Sequence, residues 1–193
     1  MTLILGIESS CDETAASIVE DGCTVLSNVV ASQDELHLEY GGVVPEIASR
    51  AHVERILPVV RKAIKQADIQ LEAIDAIAVG SHPGLIGSLL VGVAAAKALS
   101  WTLGKPLLAV DHVIAHLWAP HLSHATVEYP ALGVVVSGGH TSLLLLEDPT
   151  TVTCLGKTID DAAGEAFDKA AAILHLGWPG GQRIDNAASK GNP

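Results

Sequence analysis

Aliphatic positions recur along the chain in short runs separated by glycine and polar clusters, and the length of each run and its flanks predict the elements. Leu3–Glu8 reads as a strand, followed by a polar turn (Ser9 to Glu13) and a returning strand around Ala15–Val19. Val25–Ala31 reads as a third strand, and residues 32–44 as a polar loop ending in Gly41-Gly42. From Pro45 to about Ala67 the period changes. Ile56, Leu57, Val60, Ala63, Ile64 and Ala67 recur at helical spacing, with Pro58 expected to kink or split the helix. Ile74–Val79 is expected as a buried strand, Gly84–Leu103 as a small-residue helix suited to packing on a sheet, and Leu107–Val110 as a short strand. A helix is expected from Asp111 to about His121, then a loop to Tyr129-Pro130. Leu132–Val136 and Ser142–Leu146 form a hairpin around Gly138-Gly139, with a third strand near Val152–Leu155. A last helix is expected from about Asp161 to His175, before a glycine-rich turn (Gly177 to Gly181) and a short tail.

Three strands, then α, β, α, β, then a fresh set of strands, define an α/β organisation in two unequal units, 1–128 and 129–193. The second unit reads as unfinished, with few strands and one long helix, as expected of a fragment. The 193 residues suffice for a sizeable core. A hydrophobic fraction of 49% and a charged fraction of 17% exclude a disordered, highly charged chain. The longest nearly apolar stretch, Gly84 to Ala96, is interrupted by glycines and Ser88 and falls short of a membrane span. No basic segment precedes the first apolar run, so no signal peptide is expected. Three scattered cysteines (Cys11, Cys23, Cys154) without a CxxC fit a reducing cytosol.

Eleven basic against 22 acidic residues give a net charge of −11, which repels nucleic-acid phosphates on average. Contact with RNA is therefore expected through a local patch or with help. Arg50, Arg55, Arg61, Lys62 and Lys65 are the one such cluster, read either as a solvated helix face or as a contact with RNA or a protein partner.

Four segments carry candidate chemistry. In Gly6-Ile7-Glu8-Ser9-Ser10-Cys11-Asp12-Glu13-Thr14 a strand delivers small and acidic residues into a tight turn. This is either a polar hairpin loop or a turn aiming N–H groups and hydroxyls at a phosphate while a carboxylate holds a cation or nucleophile. In Val135-Val136-Ser137-Gly138-Gly139-His140-Thr141 the glycines serve either a two-residue turn at positive φ or close backbone approach to a phosphate. Two polar hairpins opening two α/β units form the layout of the actin–hexokinase–chaperone superfamily, and no GxxxxGK[ST] loop is present. His112 and His116 stand at i, i+4, with His121 and His124 close behind, so both imidazoles share a helix face as a metal pair or as surface or capping histidines. Asp160 and Asp161 suit a helix N-terminus, whereas Asp168 lies two turns in. Pro179-Gly180-Gly181 offers a second tight backbone approach, followed by Asp185.

Taken in order, GIESSCDET, YGGVVPEIASRAHV, PGLIGSLLVG, DHVIAH, VVSGGHT, IDDAAGEAFDKAA and WPGG resemble the bacterial TsaD family, the tRNA adenosine threonylcarbamoyltransferases once called O-sialoglycoprotein endopeptidases. The likeness runs from Met1 to Asn186 and spans little more than the first half of a typical member. It implies the two-lobed, RNase H-like actin-type ATPase architecture, with the second lobe incomplete. It implies that His112 and His116 are two of three protein ligands of a divalent metal, iron or zinc. The third, an aspartate, and an asparagine on the adenine side come from the family's C-terminal part.

Val135, Val136, Ser137, Gly138, Gly139, Asp168, Gly181 and Asp185 would contact the substrate, threonylcarbamoyl adenylate, by the same resemblance. Asp12 and Glu13 would lie beside the reacting group, Asp12 handling the proton. The acceptor would be the exocyclic amine of the adenosine 3′ of the anticodon in tRNAs reading A-starting codons. The implied partners are tRNA, a TsaB-type actin-like protein and a TsaE-type ATPase, in the cytoplasm and without a membrane. One rival is a non-catalytic scaffold of the same fold, against which the His112/His116 pair and the SGGHT turn speak. A metal-dependent glycoprotein endopeptidase is opposed by the missing HExxH glutamate. A small-molecule kinase of the superfamily would be revealed by phosphoryl transfer from ATP.

Overall fold

A computed structural model describes residues 1–122 and 127–191. The chain divides into two compact units, Met1–His124 and Ala125–Pro193.

The first unit opens with strands β1 (Leu3–Glu8), β2 (Glu13–Glu20) and β3 (Thr24–Ser32). A short helix α1 (Asp34–His37) and the long helix α2 (Pro45–Gln66) follow, then β4 (Ala76–His82), α3 (Ile86–Leu103), β5 (Leu107–Asp111) and α4 (His112–Leu122). The sheet order is β3-β2-β1-β4-β5, with β1 antiparallel to β2 and parallel to β4, and β4 parallel to β5. The alternation of a strand explains the two faces of β1. Leu3, Leu5 and Ile7 join Ile18, Ile77, Val79 and the α2 residues Ile56, Val59, Val60 and Ala63 in the core. Gly6 and Glu8, on the opposite face, line a groove of about 270 Å³ with Ser17, Asn28, Gly80 and His112.

Helix α2 runs through Pro58 as one continuous 22-residue element rather than splitting. Burial of Ile56, Val59 and Val60 at about 1.5–3 kcal/mol each outweighs the ~3 kcal/mol that an interior proline costs. The expected loop 32–44 contains α1 and a 3₁₀ turn at Leu38–Tyr40. His37 is buried there against Gln33, at 3.3 Å, a contact that no local periodicity announces. Helix α3 is the one described helix long and apolar enough to cross a membrane; here it packs against α2 and β4.

The second unit holds an antiparallel sheet β6-β7-β8 (Ala131–Val136, Thr141–Leu146, Val152–Lys157) and helices α5 (Ala163–Ile173) and α6 (Gly180–Ala188). Two expectations fail here. The segment from Gly180 is a helix rather than a turn and tail. Asp160 and Asp161 do not cap α5, whose N-cap position is Ala162 without a side-chain bond. Instead, Asp161 Oδ1 lies 2.6 Å from Lys169 Nζ.

Candidate active site

Parallel strands bring their C-terminal ends to one edge of a sheet, where α/β proteins place ligands. In the first unit the ends of β1, β4 and β5 bring Glu8, His82 and Asp111 to that edge, and the β1–β2 turn carries Ser10, Cys11 and Asp12.

That turn is held from two helices. Ser9 Oγ donates to Ser88 O of α3 at 2.9 Å, and Ser88 Oγ donates to Cys11 O at 3.2 Å. From α2, the fully buried His52 donates through Nε2 to Cys11 O at 3.0 Å and accepts at Nδ1 from Thr14 Oγ1 at 2.8 Å. Burial favours the neutral ring and pushes its pKa down, against the bond to Cys11 O, which favours the protonated one. Asp12 is half-buried and Glu13 exposed. Burial, then the charges of Asp12, Asp34 and Glu8, raise the Glu13 carboxyl. Cys11 is exposed as a residue, yet desolvation and then Asp12, Glu13 and Glu8 push its thiol up to about 12, which keeps it from acting as a thiolate.

Asp111 ends β5 and starts α4, its Oδ1 accepting from the N–H groups of Val113 at 2.8 Å and Ile114 at 3.0 Å. This cap sets His112 and His116 one turn apart. Their Nε2 atoms lie 3.2 Å from each other, with ring centroids at 4.6 Å and planes at 83°. Nitrogens bound to one ion at about 2.0–2.1 Å in tetrahedral geometry stand about 3.3 Å apart, so the pair fits a divalent ion. Among the described residues no third His, Cys, Asp or Glu completes such a group; His124 lies outside the described residues. His112 Nδ1 is 3.2 Å from Glu8 Oε2, and also 3.2 Å from Ser10 Oγ. The Glu8 bond raises the His112 pKa against its burial. For Glu8, burial raises the carboxyl, and the bonds with His112 and Ser10 outweigh it, so the net direction is down.

In the second unit the β6–β7 loop spans residues 137–140, closed by the pair Val136↔Thr141. Ser137 N–H donates to His140 O at 2.8 Å, and Ser137 Oγ accepts from His140 N–H at 3.0 Å. Gly138 and Gly139 do not take positive φ, so the two-residue turn is not what demands them. A Cβ on either would meet nothing within 4 Å, and both are exposed, leaving their backbone open to approach.

Val135 is buried and Val136 exposed on β6. The loop rests on the start of α5: Gly164 N–H donates to Ser137 O at 3.1 Å, and Ala163 N–H to Thr141 Oγ1 at 2.8 Å. Gly164 and Asp168 share a face of α5. Asp168 Oδ1 accepts from Gly180 N–H at 2.6 Å, tying α5 to the start of α6. Gly181 is half-buried there, and Asp185 is exposed one turn further on. The second unit thus gathers Ser137, Gly138, Asp168 and Gly181 around α5, whereas Asp12, Glu13, His112 and His116 stand in the first. Glu8, Ser10 and His52 escaped sequence reasoning. Glu8 stood inside a recognised motif, but its partner is 104 residues away.

The fold is of the α/β, actin-like ATPase class. YeaZ from Pseudomonas aeruginosa superposes with a TM-score of 0.54 over 82% of this chain and 67% of its own, at 21% identity. The ethanolamine utilization protein EutJ from Carboxydothermus hydrogenoformans does so with 0.52 over 96% and 61%, at 14% identity. These likenesses speak for the fold alone. The sequence profile of TsaD, described as tRNA N6-adenosine threonylcarbamoyltransferase, matches residues 24–193. Proteins of that description from Syntrophomonas wolfei and Moorella thermoacetica are 57% and 55% identical over 98% and 100% of this chain, and over 56% of their own length in each case. The chain belongs to the TsaD family and spans about half the length of the curated relatives it matches.

Proposed function

We propose that this chain carries part of the machinery that transfers a threonylcarbamoyl group from threonylcarbamoyl adenylate to the exocyclic amine of the adenosine 3′ of the anticodon, in tRNAs reading A-starting codons. The amine nitrogen bonds to the carbamoyl carbon, the bond from that carbon to the adenylate oxygen breaks, AMP leaves, and the amine loses a proton. The observation that carries this reading is the 3.2 Å convergence of the His112 and His116 Nε2 atoms beside an acidic turn. His112 and His116 hold a divalent ion, iron or zinc. Such an ion supplies Lewis-acid polarisation of a carbonyl oxygen.

Asp12 takes the amine proton, with Glu13 flanking it; the clamp from His52 and Ser88 supports a fixed turn. The open backbone of Gly138 and Gly139 receives the adenylate phosphate, beside Ser137, Val135 and Val136. Asp168, with Oδ1 engaged at Gly180, uses its other oxygen, together with Gly181 and Asp185, toward the nucleoside.

tRNA, a TsaB-type actin-like protein and a TsaE-type ATPase are the partners of this reading, and the cytoplasm its location. Exposed apolar pairs at i, i+4 on the packed helices α2 (Val53, Leu57) and α3 (Ile86, Leu90) support a protein partner. Exposed Arg61, Lys62 and Lys65 support a local contact with RNA or protein despite the net charge of −11.

The test is single-turnover transfer of labelled threonine from the adenylate to unmodified tRNA, by the protein expressed at the full length of its reading frame. Asp12→Asn is expected to slow transfer about 10²–10⁴-fold with adenylate affinity retained. Full transfer by Asp12→Asn at normal affinity would remove its role, and full transfer by His112→Ala would remove that of the histidine pair.

A further inference from the structure

We propose that Glu8 is a positioning residue for the histidine pair: its carboxylate holds His112 in the Nδ1–H tautomer and turns the Nε2 lone pair toward the ion that His112 and His116 share. The inference rests on the metal reading above and assigns Glu8 a role that the ligand set alone does not include.

The placement of Glu8 follows from strand alternation. As the last residue of β1 it lies on the face opposite Leu3, Leu5 and Ile7, at the strand end that β1 shares with β4 and β5. The neighbouring strand makes room for it. A Cβ at Gly80 of β4 would stand 2.5 Å from Glu8 Oε2, so the close approach of carboxylate and strand requires glycine there. Glu8 Oε1 accepts the Ser10 N–H, which fixes the rotation of the carboxylate. Oε2 is then 3.2 Å from His112 Nδ1. Both side chains are largely withdrawn from water, with 32% of Glu8 and 22% of His112 accessible.

An ionised carboxylate only accepts hydrogen bonds, so the nitrogen facing it carries the proton. Neutral imidazole in water prefers the proton on Nε2, and the carboxylate reverses that preference. His112 Nε2 is left with its lone pair 3.2 Å from His116 Nε2, the arrangement a shared ion needs. A carboxylate behind a ligating imidazole also raises its basicity and fixes its ring orientation. The His112 backbone has a separate anchor, the Asp111 cap on α4, so removing Glu8 frees the ring rather than the helix.

Two measurements on the metal-free and zinc-titrated protein test this. Long-range ¹H–¹⁵N correlation, at a pH where imidazole is neutral, is expected to show His112 as Nδ1–H in the wild type and mainly as Nε2–H in Glu8→Ala. Competition with a chromophoric chelator is expected to show zinc affinity falling about 10–100-fold in Glu8→Ala, and by less in the isosteric Glu8→Gln, which guards against a folding defect. An Nε2–H tautomer in the wild type overturns the inference by itself. Unchanged zinc affinity in both Glu8 variants, with loss of binding in His112→Ala, overturns the role of Glu8 and leaves the metal reading standing. Wild-type zinc binding by His112→Ala and His116→Ala overturns the metal reading and the inference together.

Discussion

His52 is tied at both ring nitrogens, and its consequence is a dependence of stability on acid. The neutral ring bridges Cys11 O and Thr14 Oγ1, and its folded pKa lies below the ordinary value of 6.5. Below about pH 6.5 the unfolded chain takes up a proton that the folded chain resists, so this stability is full above that pH and is lost as pH falls. Urea midpoints are expected to drop between about pH 7.5 and pH 5.5 more steeply in the wild type than in His52→Gln. Equal slopes would show that His52 titrates freely in the fold. Cys11 gives a second reading of the same turn. With its thiol held near 12, it should alkylate more slowly at neutral pH than the exposed Cys23 and Cys154, followed by mass spectrometry. Fastest labelling at Cys11 would contradict the acidic surroundings described here. At this scale the sequence exposed the residue types but not their pairing. His112 and His116 were legible because helical spacing alone brings them together. Glu8, Ser10 and His52 were not, because each acts on a residue from a distant element.

Elements with a local signal were legible, and elements held from outside were not. The first strand, α2 and α3 follow from alternation, helical spacing and small-residue packing. Helix α6 opens on Gly180-Gly181, a poor helix start by propensity. What anchors it is the Asp168 carboxylate of α5, twelve residues earlier, at 2.6 Å from Gly180 N–H. The same contact makes Gly180 sensitive. A Cβ there would stand 2.6 Å from Asp168 Cα and 2.7 Å from Phe167 O, backbone atoms that cannot yield cheaply. Gly180→Ala is expected to destabilise the second unit by about 1–3 kcal/mol, although alanine is favoured over glycine by about 1 kcal/mol in a helix interior. Hydrogen exchange at the α6 amides reads the outcome, and slower exchange in the variant would mean that the two helices do not meet at this point. The α1 and 3₁₀ turns in 32–44 were hidden for a similar reason, since His37 is buried by tertiary packing rather than by pattern.

Across the whole molecule, each unit opens with a three-stranded antiparallel meander whose first turn or loop carries the candidate chemistry: Ser10 to Glu13 in one, Ser137 to His140 in the other. The two polar hairpins that open these meanders were readable in the sequence. The apolar face of β6 was not readable: Leu132, Val134 and Val136 are 59–65% exposed, whereas a strand pattern alone would place them in a core. Under the proposed function, a net charge of −11 would leave contact with tRNA to local patches and partners. The most direct measurement of the central claim is nucleoside analysis by mass spectrometry. Unmodified tRNA would be incubated with threonylcarbamoyl adenylate and the full-length protein, alone and with its partner proteins, then digested. Threonylcarbamoyladenosine at the position 3′ of the anticodon, absent with His112→Ala, is the result this account predicts. An unchanged adenosine there, with folded protein, partners and intact adenylate all present, would contradict it.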